Sequence, residues 1–154
     1  MGADAKIEEL GLELPAPPPP GGTYSPVVQV DNICYVSGHG PVLPDGSMLK
    51  GRVGSEVDEE FGINAARTVG LALLSTLRNY LGTLDRVERV VKVLGMVNAA
   101  ADFERHPIVI NGFSDLMVEV FGEGGRAARS AVGMGSLPGN ISVEVEAIFQ
   151  VRTE

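Results

Sequence analysis

The chain has 154 residues and a mass of 16.2 kDa, and its 20 acidic and 12 basic residues give it a net charge of −8. This length suits one domain with a substantial core, and the negative charge argues against nucleic acid as a partner because phosphates would be repelled. No stretch approaches the roughly eighteen apolar residues of a membrane span, and no signal-peptide pattern is visible, so we expect a cytoplasmic protein without a membrane partner.

The first part of the chain is rich in proline and glycine. Residues 14–22 read Leu-Pro-Ala-Pro-Pro-Pro-Pro-Gly-Gly. Successive prolines fix φ and remove backbone donors, whereas the glycines restore freedom, so we predict a polyproline-like arm that ends in a flexible step. The arm acts as a spacer or lies along the surface; docking into an aromatic groove of another protein is the alternative. We therefore divide the chain into an N-terminal arm, residues 1–24, and a domain, residues 25–154.

Two short apolar segments follow the arm. Residues 27–31 and 33–37 are predicted strands, and Asp31 and Asn32 tolerate positive φ, so the pair predicts a hairpin. Residues 44–46 read Pro-Asp-Gly and predict a turn, next to an optional third strand.

A long amphipathic helix is predicted next. Ser55 and Asp58 are spaced like a capping box, and apolar residues recur at every fourth position through residues 61–81 until a glycine ends the pattern. Gly62 and Gly70 each cost a helix about 1 kcal/mol relative to alanine. We interpret them as marks of close packing on a sheet.

The second half alternates strands and helices. Residues 87–97 are rich in valine and predict a strand. Pro107 suits the first turn of a second helix, whose apolar stripe ends at Gly122. Residues 141–151 alternate apolar and polar side chains, which indicates a half-buried strand. With a strand at Arg129, the order ββ(β)αβαββ predicts an α+β fold with two helices against one mixed sheet.

Candidate functional residues are few. Glu144 and Glu146 lie two apart on the last strand, so they share one face at about 7 Å, which suits joint action on a small ligand or plain solvation. Arg129 begins a strand beside a glycine-rich loop, where its guanidinium fork suits a carboxylate; a surface arginine is the alternative. A single cysteine, Cys34, in an apolar run indicates a buried thiol, and no spacing is typical of metal ligands, so we predict no metal site.

Several segments, taken together, are similar to those of a known family. They are Ser37-Gly38, Asn111, Ala128-Arg129-Ser130, Leu137-Pro138 and Val143-Glu144-Val145-Glu146-Ala147-Ile148. In order and spacing over residues 25–152, they resemble the RidA/YjgF family, also called the L-PSP endoribonuclease family. The first two dozen residues lie outside this resemblance.

The resemblance implies both a fold and an activity. It implies a chorismate-mutase-like (YjgF-like) subunit in a homotrimer with a central β-barrel, and active sites in the clefts between subunits. It also implies hydrolysis of reactive 2-imino or enamino acids to 2-keto acids and ammonia, with no cofactor. Arg129 matches the arginine that binds the substrate carboxylate, and Glu144 matches the glutamate assigned to the catalytic water. Gly38 and Asn111 match cleft positions.

Three departures from the family pattern indicate a divergent branch. Ala131 stands where the family usually has cysteine, Val27 where a tyrosine is common, and His39 where glutamine is frequent. We expect both Ala131 and Val27 to contribute to substrate binding. The resemblance implies that the cysteine contributes mainly backbone groups, so alanine is tolerated, whereas loss of the tyrosine should alter which substrate side chain fits. This altered pocket motivates the alternative of a non-catalytic, small-metabolite-binding or chaperone-like trimer. Ribonuclease activity ranks third because the two histidines, His39 and His106, are far apart in sequence and do not suggest a catalytic pair. The negative net charge would also repel RNA.

Overall fold

A five-stranded mixed sheet with two long helices on one face forms the body of the protein. The computed structural model describes residues 1–153. Its helices and strands follow in the order α1 (Ala3–Glu9), β1 (Val27–Val30), β2 (Ile33–His39), α2 (Glu59–Leu81), β3 (Val87–Asn98), α3 (His106–Phe121), β4 (Ala128–Met134) and β5 (Val143–Val151). No helix within residues 1–153 is both long and apolar enough to cross a membrane.

The strands lie side by side in the order β1-β2-β5-β3-β4. β4 runs parallel to β3, and the other neighbouring pairs are antiparallel. The predicted mixed sheet and the two helices against it are therefore confirmed. The optional third strand does not form, because Val42 and Met48 make only an isolated bridge across the predicted turn.

The predicted hairpin is confirmed, with Asp31 and Asn32 between β1 and β2. Asp31 adopts a φ of 54°, a left-handed conformation that its short polar side chain tolerates. β2 extends beyond the predicted strand to His39, and its pairing with β5 shifts register between Val36 and His39. This β-bulge re-aims the residues within it.

The start of α2 differs from the prediction. Asp58, and not Ser55, is the capping residue: its carboxylate accepts a hydrogen bond from the Phe61 N–H at 2.8 Å. The helix therefore begins one residue after Asp58 rather than with a capping box at Ser55.

Glycines on α2 allow close packing, but against α3 rather than against the sheet. A Cβ added to Gly70 would lie 2.7 Å from Leu116, and one added to Gly62 would lie 3.2 Å from Val109. On α3, a Cβ added to Gly112 would overlap a backbone carbonyl oxygen of α2. The predicted close packing is thus present, and the helix-to-sheet interpretation of it is wrong.

Gly112→Ala is expected to destabilise the fold by about 1–3 kcal/mol, because a rigid backbone oxygen occupies the space of the new methyl group. For a chain of this size, the melting temperature should fall by about 2–4 °C for each kcal/mol. Thermal unfolding followed by circular dichroism measures the change. Gly135→Ala is the control, because its Cβ would meet no atom within 4 Å. Equal melting temperatures for the two variants would contradict a tight crossing of the helices.

The arm packs along the body and begins with a helix that the sequence did not predict. Ile7 of α1 is only 3% exposed. The Asp4 carboxylate accepts a hydrogen bond of 2.5 Å from the Thr83 hydroxyl, and the Ser75 hydroxyl donates one of 2.5 Å to the Pro15 carbonyl oxygen. The arm therefore lies on the surface of the domain, which is one of the two arrangements expected for it.

Candidate active site

Glu144 lies on the face of the sheet opposite α2 and α3, which we call the open face. Its neighbours Val143 and Val145 are fully buried on the helix side, so strand alternation turns the Glu144 side chain outward. The bulge in β2 brings Gly38 against it, and a Cβ added to Gly38 would overlap Glu144 Oε2. The Gly38 position thus leaves room for the carboxyl group only while it has no side chain.

Burial raises the pKa of the Glu144 carboxyl, and the neighbouring Glu146 carboxylate raises it further. Within residues 1–153, neither side chain has a hydrogen-bond or salt-bridge partner. A carboxyl group with a raised pKa and no protein partner is suited to exchanging protons with a ligand or a water molecule.

Both glutamates border a cavity of about 560 Å³, which is within the size range of small-molecule sites. The bulge contributes Gly38 and His39 to its lining. The remaining lining is largely apolar and includes Val42, Met48, Pro138 and Ile141, together with Pro18, Pro19, Pro20 and Tyr24 from the arm. The two carboxyl groups therefore face largely apolar walls.

His39 supports the bulge from the buried side and is only 6% exposed. Its Nδ1 donates to the Ser37 carbonyl oxygen at 2.6 Å, and its Nε2 accepts from the Thr76 hydroxyl at 2.8 Å. Burial lowers the pKa of the His39 imidazole, which favours this neutral form despite the opposing effect of the Ser37 carbonyl. His39 thus ties the backbone next to Gly38 to α2.

Arg129 lies on edge strand β4, and α3 holds its guanidinium. One terminal nitrogen, Nη1, donates to Asn111 Oδ1 at 2.8 Å and to Ser114 Oγ at 3.1 Å. The other, Nη2, donates to the Pro107 carbonyl oxygen at 3.4 Å. Asn111, expected at the site from the family resemblance, therefore contacts Arg129 directly. These contacts fix the guanidinium while the side chain remains partly exposed.

A single chain does not bring Arg129 and Glu144 together. Arg129 pairs with Val93, whose side chain lies in the core on the helix side, whereas Glu144 pairs with Met96 on the open face. β3 separates β4 from β5, so their backbones lie about 10 Å apart at two strand spacings. Arg129 and Glu144 therefore do not share a pocket within one chain.

Of the three residues that depart from the family pattern, Ala131 and Val27 differ from each other in position. Ala131 lies beside the Arg129 group, opposite Gly95 and partly buried against the core. Val27 does not line the Glu144 cavity: it is 8% exposed and pairs with Val36 on the helix side. Strand alternation explains this, because neighbouring residues of β1 point to opposite faces.

Within residues 1–153, no three or more His, Cys, Asp and Glu side chains are grouped so that they could hold a metal ion. Cys34 is fully buried, and burial raises the pKa of its thiol. The predicted buried thiol is therefore confirmed, and this cysteine is inert by position.

Comparisons with known proteins relate the whole chain to one family. The family described as "YjgF/chorismate_mutase-like, putative endoribonuclease" matches residues 4–149. This match includes most of the arm, which the resemblance over residues 25–152 had left outside. A solved structure, the protein Atu1372 with unknown function from Agrobacterium tumefaciens, is 37% identical with a TM-score of 0.89, and the match covers 98% of this chain and 92% of that one.

Two curated proteins are also similar over nearly their full lengths. Protein TCP17 of Trypanosoma cruzi is 39% identical over 149 residues, which is 96% of this chain and 93% of that protein. The 2-iminobutanoate/2-iminopropanoate deaminase of Dermatophagoides farinae is 31% identical over 143 residues, which is 92% of this chain and 95% of that enzyme. With its chorismate-mutase-like α+β fold, the chain belongs to the YjgF/chorismate-mutase-like endoribonuclease family.

Proposed function

We propose that the protein hydrolyses reactive 2-imino and enamino acids to 2-keto acids and ammonia. The observation that carries the proposal is the Glu144 carboxyl, which has a raised pKa and lies unpartnered in the described structure at the edge of a cavity. The Dermatophagoides farinae relative, named as a deaminase of this kind, supports the reaction class.

The chemistry requires little more than positioning. A protonated imine is already electrophilic, so a fixed substrate, a held water molecule and a carboxylate suffice. Glu144 takes a proton from the water while the water oxygen bonds to the imine carbon and the C=N electron pair moves to nitrogen. The Glu144 carboxyl group then protonates that nitrogen, the C–N bond breaks and ammonia leaves, while the hydroxyl proton passes to the Glu144 carboxylate to form the keto acid. Transfer of this proton to the released ammonia restores the carboxylate. The negative charge of Glu146 favours the cationic imine.

Arg129 binds the substrate carboxylate through its guanidinium fork in this proposal. Because Arg129 and Glu144 face opposite sides of one sheet, a second copy of the chain supplies the missing half of each site, in a homotrimer with a central barrel. The open face supports this assembly: Val28, Val30 and Tyr35 are 50%, 57% and 48% exposed there. Light scattering after size exclusion should report three chains; a monomer would contradict the shared site.

The activity is tested with imines generated in place by an amino-acid oxidase. Semicarbazide competes for the imine, so a hydrolase lowers the yield of semicarbazone and raises the yield of keto acid. Wild-type protein should do both relative to an equal amount of albumin. Equal yields with the two proteins would contradict the proposed reaction.

Gly38→Ala is expected to lower kcat for imine hydrolysis by about 10²-fold, because the new methyl group displaces the Glu144 carboxyl from its place. Gly38 has no positive φ, so the backbone accepts alanine and the fold should remain. Keto-acid formation measures the loss, with Gly135→Ala as the matched control. Full activity of Gly38→Ala would show that the Glu144 position is not needed.

A non-catalytic metabolite-binding or chaperone-like trimer is the second candidate. Ala131 in place of the family's usual cysteine favours it. Calorimetry showing that 2-keto acids bind without any imine turnover would support this reading. Ribonuclease activity has less physical support because the net charge of −8 repels RNA. The cytoplasmic location stays a prediction.

A further inference from the structure

We propose that residues 18–24 of the arm form a wall of the substrate cavity and select 2-imino acids with large apolar side chains. This inference rests on the proposed deaminase function, which supplies the reaction. The packing of the arm supplies the evidence for the wall. Pro18, Pro19, Pro20, Gly21 and Tyr24 line the same cavity as Glu144. The arm is therefore part of the candidate site and not only a leader into the domain.

The wall is held at both ends by hydrogen bonds to serines of the domain. Before it, the Ser75 hydroxyl, on a residue only 5% exposed, donates to the Pro15 carbonyl oxygen at 2.5 Å. After it, the Ser37 hydroxyl donates to the Ser25 carbonyl oxygen at 2.7 Å. A proline run between two such anchors has little freedom to move, so it presents a stiff surface to the cavity.

Tyr24 completes the wall through a hydrogen bond within the arm. The Gly21 N–H donates to the Tyr24 hydroxyl oxygen at 3.0 Å, which closes the chain between the proline run and the tyrosine. The ring thereby stays beside the cavity although the residue is 50% exposed. An aromatic surface thus reaches the site from the arm, whereas Val27, at the usual tyrosine position of the family resemblance, points into the core.

The composition of the cavity indicates which substrates it favours. Apolar side chains face the arm from the domain, among them Val42, Met48 and Ile141. The cavity, about 560 Å³ within one chain, has room for a branched or aromatic side chain. The carboxylates of Glu144 and Glu146 oppose an acidic side chain by repulsion. Imines of leucine or phenylalanine type therefore fit best.

The first test compares turnover of a large and a small imine. Tyr24→Ala should lower kcat/KM for the imine of leucine by about tenfold, mainly through KM, and should lower it for the imine of alanine by a clearly smaller factor. Tyr80→Ala is the matched control, because Tyr80 is similarly exposed at 47% and lies outside this cavity. Pro19→Gly loosens the wall without removing an aromatic ring. It should also lower the ratio of kcat/KM for the imine of leucine to that for the imine of alanine. Equal losses on both imines, or no loss on either, would overturn the proposal.

The second test does not depend on catalysis. Calorimetry should show that wild type binds the keto acid of leucine more tightly than pyruvate, and that Tyr24→Ala reduces this preference by about tenfold. If binding shows this pattern while no imine is turned over, the deaminase proposal fails and the wall stands. If imines are turned over but the preference is the same in wild type and Tyr24→Ala, the wall fails alone. If neither turnover nor binding occurs, both fail.

Discussion

Arg129→Ala is expected to lower kcat/KM for imine hydrolysis by about 10²–10³-fold. The variant removes the guanidinium that binds the substrate carboxylate and leaves that charge without its partner in the site, a loss of about 2–5 kcal/mol. Asn111 and Ser114 would also lose their bonds to the guanidinium. Initial rates of keto-acid formation under semicarbazide competition measure the effect, and circular dichroism verifies the fold.

Two further variants distinguish charge from geometry at this position. Arg129→Lys keeps the positive charge but lacks the planar fork, so it should recover only part of the activity. Arg126→Ala is the control, because this neighbouring arginine is 69% exposed in its side chain and pairs with Glu123 at the surface. Full activity of Arg129→Ala, or equal losses in both alanine variants, would contradict a carboxylate site at Arg129.

Glu144→Gln is expected to lower kcat by about 10²–10⁴-fold and to leave substrate binding largely intact. The amide has nearly the same shape as the carboxyl group, so it fits beside Gly38, but it cannot take a proton from water. Steady-state kinetics should therefore place the loss in kcat and not in KM. Glu123→Gln, on a side chain that is 82% exposed and outside the cavity lining, is the control. An active Glu144→Gln would remove the proposed base.

The same variant has a predictable effect on stability. Because the pKa of Glu144 is raised in the folded protein, the folded state binds this proton more tightly than the unfolded state does. The resulting stability is fully present below the unfolded pKa and is lost as the pH rises through the folded pKa. Near neutral pH, Glu144→Gln should therefore melt at a higher temperature than wild type, and the difference should shrink toward about pH 4. Equal melting temperatures at neutral pH would contradict this.

Much of the fold could be predicted because local patterns encode it. The alternation in residues 141–151 indicated a strand with Glu144 and Glu146 on one face, and the structure has both features. The prediction for the start of α2 was wrong about the capping residue. Both Ser55 and Asp58 are good caps, and only the observed backbone geometry selects Asp58.

The site was less predictable because it depends on long-range packing. A strand at Arg129 could be predicted, but the face that receives its side chain depends on the parallel register with β3. The contribution of Tyr24 could not be foreseen, because the arm is positioned by Ser75, which lies 60 residues away from Pro15 in sequence. A proline run carries no periodic pattern that would indicate such a partner.

The anchoring of the arm has a consequence for how this protein can diversify. Both serine hydroxyls bind main-chain carbonyl oxygens, which every amino acid possesses. Side chains between the two anchors can therefore be exchanged without loss of either hydrogen bond. Substitutions within residues 16–24 can thus alter the substrate range while Arg129 and Glu144, placed by other elements, keep their positions. Substrate selectivity, set by the arm, can therefore evolve separately from catalysis, set by Arg129 and Glu144.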